Sequence, residues 1–154
     1  MKIGDILKQD CVTTNISGIT KKDILTMLSR PIAETYGMDL DALVDNLLDR
    51  EKLASTGMGD GIAIPHARVG RSRKIFASLG ISRSGVRYDS IDAKPCHIFF
   101  LIVTPDVLES RHLKALARVA LVLKNPGLRQ NLMSAETADK AYRIIIEYDN
   151  KLDE

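Results

Sequence analysis

Few residues in this sequence combine a chemically useful side chain with a telling position, and only three are histidines. His66 follows a glycine-rich run, a short apolar segment (Ile62-Ala63-Ile64) and Pro65. Proline fixes its own φ and biases Ile64 towards an extended backbone, so a strand should stop abruptly here and present His66 at its edge. An imidazole on a restrained backbone suits nucleophilic work; the competing reading is a surface-loop histidine. His112 falls in the first turn of an expected helix, where unpaired N–H groups and the positive dipole end favour an anion. Its competing reading is an exposed helical histidine. His97 opens the apolar run Ile98 to Val103 and reads as structural. Arg50 closes another expected helix five residues before Ser55. A guanidinium there offers a planar fork to an oxyanion, or merely complements a helix C-terminus.

Ser55-Thr56-Gly57-Met58-Gly59-Asp60-Gly61 reads as a loop whose hydroxyls and N–H groups could add donors. Gly57, Gly59 and Gly61 do not form a nucleotide fingerprint, and no lysine-serine pair follows. Arg68, Arg71, Arg73 and Lys74 form a basic patch that could attract an acidic partner or a phosphoryl group, or simply be solvated. No spacing suggests a metal site, and a hydrolase built on His66 and His112 would lack ligands.

The elements that must position these residues emerge from periodicity. Thr20 and Asp23 form a capping pair ahead of Ile24, Leu25 and Leu28; Pro31 should kink or end that helix near Ser29 or Arg30, and Gly37 stops any continuation. Asp39 caps a helix with Leu40, Leu43, Val44, Leu47 and Leu48 on one face, ending near Arg50 to Lys52. Strands are expected over 11–16, 62–64, 75–82 and 96–103, the last apolar enough to be covered on both faces. Helices are expected from about Glu109 to Lys124, from Asn125-Pro126, and after Ser134 with Ala138, Ala141, Tyr142 and Ile145. The result is an α/β, three-layer sandwich: a small mixed β-sheet flanked by helices. One domain spans 1–148, with a polar tail over 149–154.

The length of 154 residues supports one core without disulfides, and 45% hydrophobic with 27% charged residues is ordinary globular usage. A net charge of +2 gives no support to a nucleic-acid surface. Cys11 and Cys96 are far apart and read as reduced thiols. No leader pattern or run long enough to span a bilayer appears, so a cytoplasmic protein without direct membrane insertion is expected.

The run from Ser55 to Arg68, with its Gly-Ile-Ala-Ile-Pro-His core, resembles the active-site signature of enzyme IIA domains of the phosphoenolpyruvate-dependent sugar phosphotransferase system, in the mannitol/fructose and nitrogen-regulatory branch. His112-Leu113-Lys114-Ala115-Leu116-Ala117-Arg118-Val119 resembles the family's second-histidine helix, Arg50-Glu51-Lys52-Leu53 its arginine segment, and residues 2–7 and 10–12 its opening. The resemblance implies a small mixed sheet in an α/β sandwich. It also implies His66 as the phosphorylated nucleophile, reacting through Nε2, with His112 and Arg50 beside it and Ser55 or Thr56 supplying a loop hydroxyl. No cofactor or metal is implied.

The donor so implied is a phosphohistidine carrier protein (HPr-like). Downstream stands either a regulatory target protein or an enzyme IIB cysteine in fructose or mannitol transport. The nitrogen-regulatory branch is favoured by the stand-alone form, the opening segment and the His112 helix. A non-catalytic binding module is the reading from another class, and it predicts no phosphoryl uptake.

Overall fold

The computed structural model describes residues 1–18, 20–70, 73–106 and 109–153. Its strands are β1 (Leu7–Thr13), β2 (Gly57–Gly59), β3 (Ile62–Ala63), β4 (His66–Arg68), β5 (Phe76–Val86) and β6 (Cys96–Thr104). Its helices are α1 (Lys21–Tyr36), α2 (Leu40–Leu53), α3 (Glu109–Leu123), α4 (Pro126–Ser134) and α5 (Ala138–Lys151). The strands form one mixed sheet in the order β1-β5-β6-β3-β2, with β4 also on β6. Helices α1 and α2 pack together, and α1 lies on β1, β5 and β6; α3, α4 and α5 form a second helical layer on the same sheet. This is the mixed-sheet sandwich that the patterning predicts. No helix among the described residues is long and apolar enough to cross a membrane.

The centre is β6, whose residues Ile98 to Val103 are all buried. Its apolar continuity reflects cover from both helical layers. Gly80 on β5 lets α1 approach: a Cβ there would meet Leu28 Cδ2 at 2.6 Å and Ile16 Cγ1 at 2.7 Å. Capping sets several helix starts. Thr20 and Asp23 form the expected reciprocal box, Asp39 accepts from Ala42 N at 3.0 Å, and Asn125 accepts from Leu128 N at 2.9 Å ahead of Pro126. Thr137, three residues beyond Ser134, caps α5.

Four local expectations are corrected. The helix does not end at Pro31: α1 runs through to Gly37, which ends it in the left-handed region at φ 68°. Pro31 forgoes one backbone bond, but Ile32 and Ala33 beyond it are buried, and Tyr36 stacks on Phe76 at 4.0 Å. Burying a side chain such as Ile32 contributes roughly 1.5–3 kcal/mol, comparable with the roughly 3 kcal/mol cost of an internal proline. The first strand starts at Leu7, not Cys11, and ends at Thr13. Lys8, Gln9 and Asp10 are exposed on an edge strand with a register shift, a setting that tolerates charge.

The glycine-rich segment is not a plain loop. Asp60 and Gly61, both at positive φ (57° and 77°), form the two-residue turn of a β2–β3 hairpin. Finally, the segment from residue 149 is no loose tail. Asp149 is fully buried in α5, where it accepts from Ile3 N at 2.6 Å and Arg118 Nε at 2.6 Å.

Candidate functional site

The site begins with a broken strand beside β6. β3 and β4 both run parallel to β6, pairing at Ile98–Phe99 and Ile102–Thr104 respectively, and Ile64-Pro65 interrupts them. His66 therefore opens a strand, where the sequence suggested the end of one. The interruption redirects the backbone. Pro65 cannot donate, but its carbonyl accepts from Ile102 N at 3.0 Å, and Ile64 N turns away to Thr56 O at 3.0 Å. The Ile64 carbonyl is left to face the side chain two residues on, and His66 Nδ1 lies 2.9 Å from it.

That contact fixes the imidazole tautomer. A carbonyl oxygen only accepts, so Nδ1 carries the proton. Arg50 Nε donates to His66 Nε2 at 3.2 Å, and a guanidinium is always a donor. Nε2 therefore holds the lone pair. Burial, foremost, lowers the His66 pKa below the usual histidine value; the Arg50 and Arg68 cations push the same way, while the Ile64 bond and Glu51 oppose them. Burial and the neighbouring cations thus favour the neutral ring, with its lone-pair nitrogen defined by geometry.

Arg50 stands in the last turn of α2, and its Nη1 donates to Ala54 O at 3.0 Å. The helix-end reading of Arg50 is met by Nη1 on the Ala54 carbonyl, while Nε of the same guanidinium faces His66. His112, in the first turn of α3, is buried; its ring centroid lies 5.3 Å from that of His66, and its Nδ1 is 2.7 Å from Thr104 Oγ1. The three residues singled out from spacing converge from α2, β4 and α3. His97 stands elsewhere, half-buried, with Nδ1 on Ser82 O at 2.9 Å.

The hairpin residues serve differently from expectation. Gly57 N donates to Ser55 Oγ at 3.1 Å and Gly59 N to Ser90 Oγ, between β5 and β6, at 3.1 Å, so those N–H groups are spent on serine hydroxyls. A Cβ on Gly57 would lie 2.8 Å from Ser90 Cα, which explains its glycine. Ser55 Oγ donates to Tyr88 O at 3.0 Å. Thr56 is buried, and its hydroxyl donates to the Glu51 carboxylate in a short contact.

Glu51, Tyr88 and Thr104 were not among the residues singled out from the sequence. Glu51 Oε1 accepts from Tyr88 Oη at 2.9 Å, its Oε2 from Thr56 N at 3.1 Å, and Lys21 Nζ pairs with Oε2 at 3.1 Å. The one available signal was a carboxylate beside Arg50, which sequence alone reads as surface charge.

Two shallow depressions meet at Arg50 and His66. One, of about 590 Å³, is lined by Asn46, Asp49, Leu53, Arg68 and His112 besides these two; the other, of about 260 Å³, by Ser55, Thr56, Met58, Ile64 and Leu116. Leu53 is 82% exposed and Met58 53%, giving the rim apolar contact points. Of the basic patch, Arg68 reaches this rim, while Arg71 lies outside the described residues. Among the described residues no group of three His, Cys, Asp or Glu side chains could hold a metal ion.

Residues 5–148 match the family model for the phosphoenolpyruvate-dependent sugar phosphotransferase system, EIIA 2. The chain belongs to this EIIA family. It is 31% identical to a nitrogen regulatory protein of Pseudomonas aeruginosa, covering 97% of this chain and 98% of that one. It is 32% identical to the fructose-specific EIIABC component of Bacillus subtilis, covering 97% of this chain but 24% of that longer protein. In structure it is similar to the nitrogen regulatory protein IIA-Ntr from Neisseria meningitidis, with a TM-score of 0.85, 26% identity, and 93% and 98% of the two chains covered. The mannitol IIA of Escherichia coli shares the EIIA fold at a TM-score of 0.76 and 18% identity, with 90% and 97% covered.

Proposed function

We propose that this EIIA chain is a phosphocarrier that accepts a phosphoryl group on His66 Nε2 from a phosphohistidine carrier protein (HPr-like) and uses the phosphorylated state as a regulatory output. The observation that carries this is the pair of contacts on one ring: Nδ1–H on the Ile64 carbonyl, and Nε2 facing the Arg50 guanidinium at the meeting point of two open depressions.

The transfer follows from that geometry. The Nε2 lone pair attacks the donor's phosphorus in line, the donor's P–N bond breaks, and its bonding pair returns to the donor ring. A donor ring protonated on its other nitrogen leaves as neutral imidazole. His66 keeps its Nδ1 proton on Ile64, so the product ring is cationic beside a phosphoryl group of roughly −1.5 to −2 charge. Arg50 binds the oxygens as charge develops, and this electrostatic positioning is the main catalytic contribution. His112 Nδ1 pairs with the Thr104 hydroxyl at 2.7 Å; when that hydroxyl donates, the His112 proton sits on Nε2, the donor form a phosphoryl oxygen requires. Neutral His66 needs no general base.

The open depressions suit exchange between proteins, because a carrier's phosphohistidine must reach Nε2 directly. The regulatory output is supported by the relatives named nitrogen regulatory protein, which match nearly end to end. Transfer to an enzyme IIB cysteine is the second reading, supported by the fructose-specific Bacillus subtilis relative. The cytoplasm, where such a carrier is charged, is the proposed place of action. Incubation with phosphoenolpyruvate, enzyme I and the carrier tests the proposal: the chain should gain one acid-labile phosphoryl group, and His66→Ala none. Normal labelling of His66→Ala would reject the assignment. Rapid loss of the label to an enzyme IIB cysteine would replace the regulatory output with transport.

A further inference from the structure

Directly behind Arg50 lies a buried carboxylate that the transfer reaction does not itself use. The Glu51 side chain is only 3% exposed, yet it is encircled by donors from three parts of the chain. Lys21 Nζ, from the first turn of α1, pairs with Oε2 at 3.1 Å. Thr56 N donates to both carboxylate oxygens, at 3.3 and 3.1 Å, and the Thr56 hydroxyl donates to Oε1. Tyr88 Oη, beyond β5, donates to Oε1 at 2.9 Å. Lys21 Nζ also sits 4.8 Å from the centroid of the Tyr88 ring, which closes the group on itself.

The group has a direct route to the nucleophile. Clamping Thr56 to Glu51 folds residues 54–56 back over the end of α2. That places the Ala54 carbonyl where Arg50 Nη1 donates to it at 3.0 Å. The same guanidinium is planar, so fixing Nη1 fixes the direction of Nε, which donates to His66 Nε2 at 3.2 Å. The clamp also holds Thr56 O, which accepts from Ile64 N at 3.0 Å, in the segment whose next acceptor is the Ile64 carbonyl. One carboxylate thus sets both partners of the His66 ring, one through the arginine and one through the backbone. A buried ion pair is weak grounds for stability, because desolvation offsets most of its attraction; holding one geometry is the better-supported use.

We propose that Glu51, held by Lys21, is a positioning residue for phosphoryl transfer: by clamping Thr56 it aims the Arg50 guanidinium at His66 Nε2. This rests on the reading of His66 as phosphoryl acceptor. Positioning of this kind makes a large rate difference, since displacements of about 1 Å can cost roughly 10²-fold.

The test compares Glu51→Gln and Thr56→Val with the unaltered chain, using uptake from the phosphorylated carrier protein and nitrogen NMR of the Arg50 Nε–H and the His66 ring. Thr56→Val keeps the carboxylate and its lysine while removing one donor, so it reports even if Glu51→Gln does not fold. Both variants should slow uptake at saturating carrier by at least about tenfold, with the carrier's KM unchanged. Both should also lose the slowly exchanging Arg50 Nε–H signal and its coupling to His66 Nε2, and Thr56→Ser should restore both readouts. A folded Glu51→Gln or Thr56→Val variant with full-rate uptake and an intact Arg50 signal would overturn the assignment. If the unaltered chain took up no phosphoryl group, the acceptor reading would fail while the Arg50 signal still tested the clamp.

Discussion

Two carboxylates in this molecule are buried alike, but they serve opposite ends of it. Asp149 in α5 accepts from Ile3 N and Arg118 Nε, and Arg118 reaches on to Asp153. Glu51 in α2 accepts from Thr56 N and Tyr88 Oη and pairs with Lys21. Each joins one cation and one backbone N–H. The partners of Asp149 all end inside the fold, tying the N-terminal segment to α3 and α5. Glu51 is itself the residue next to Arg50, and its partner Thr56 lies two hydrogen bonds from the His66 ring. Equal burial and equal chemistry therefore make a clasp in one place and a positioning device in the other, and the next partner along decides which.

The largest expected effect belongs to the clasp. Asp149→Ala leaves Ile3 N unpaired and Arg118 with only Asp153 and the backbone carbonyl of residue 149. A loss of about 3 kcal/mol is expected, at the low end for breaking a buried pair, which corresponds to a melting temperature roughly 6–12 °C lower. Calorimetry measures this, and uptake per folded molecule should match the unaltered chain. A folded Asp149→Ala protein with slow uptake would collapse the distinction between the two carboxylates.

Next comes Arg50→Ala, which should slow uptake by roughly 10²-fold, as loss of a charged transition-state contact typically does, while leaving the fold intact. Arg50→Lys should rescue poorly, because a point charge cannot bond His66 and Ala54 with one rigid plane. Stopped-flow uptake with the phosphorylated carrier measures both. A wild-type rate in Arg50→Ala would remove the guanidinium from the reaction.

A regulatory partner captured on the unmodified chain should bind the phosphorylated form differently by about 1–3 kcal/mol, the usual range for coupled sites. The added charge falls between the rim residues Leu53 and Met58, where it repels acidic groups and is costly to bury. Calorimetric titration against both forms, with His66→Ala as the permanently unmodified chain, reads the difference. Equal affinities would end the regulatory reading.

The smallest effect is on pH dependence. The folded pKa of His66 is lowered, chiefly by burial, so it lies below the ordinary value of about 6.5. Between the two values the unfolded chain binds more protons. This group's contribution to stability is therefore complete above about pH 6.5 and is lost as pH falls towards the folded value. The acid limb of uptake should have its midpoint below 6.5 for the same reason. A midpoint at or above 6.5 would show that burial does not govern the ring.

The legible part of the site was its reactive surface. His66 stood out locally through Pro65, whereas Arg50 and His112 read as ordinary helix-end residues by position and joined the site only through the resemblance of their segments to the family. Glu51 and Thr104 were not legible: a carboxylate in a last helical turn and a threonine at a strand end read as solvated until tertiary packing buries them. The same limit explains the strand errors. Lys8 to Asp10 look unlike a strand until β1 proves to be an edge, and Pro31 looks like a helix end until Ile32 and Ala33 prove to be buried. The β2–β3 hairpin was available locally in Asp60-Gly61 but was masked by the glycines around it.

The central claim is that Nε2 of His66, with its tautomer fixed by Ile64 and Arg50, is the phosphoryl acceptor. Phosphorus–nitrogen NMR on ¹⁵N-histidine-labelled protein, charged through the carrier, tests it directly. One phosphohistidine is expected, at His66, with phosphorus coupled to Nε2 and the proton retained on Nδ1. Phosphorus on Nδ1, or on His112 or His97, would contradict it.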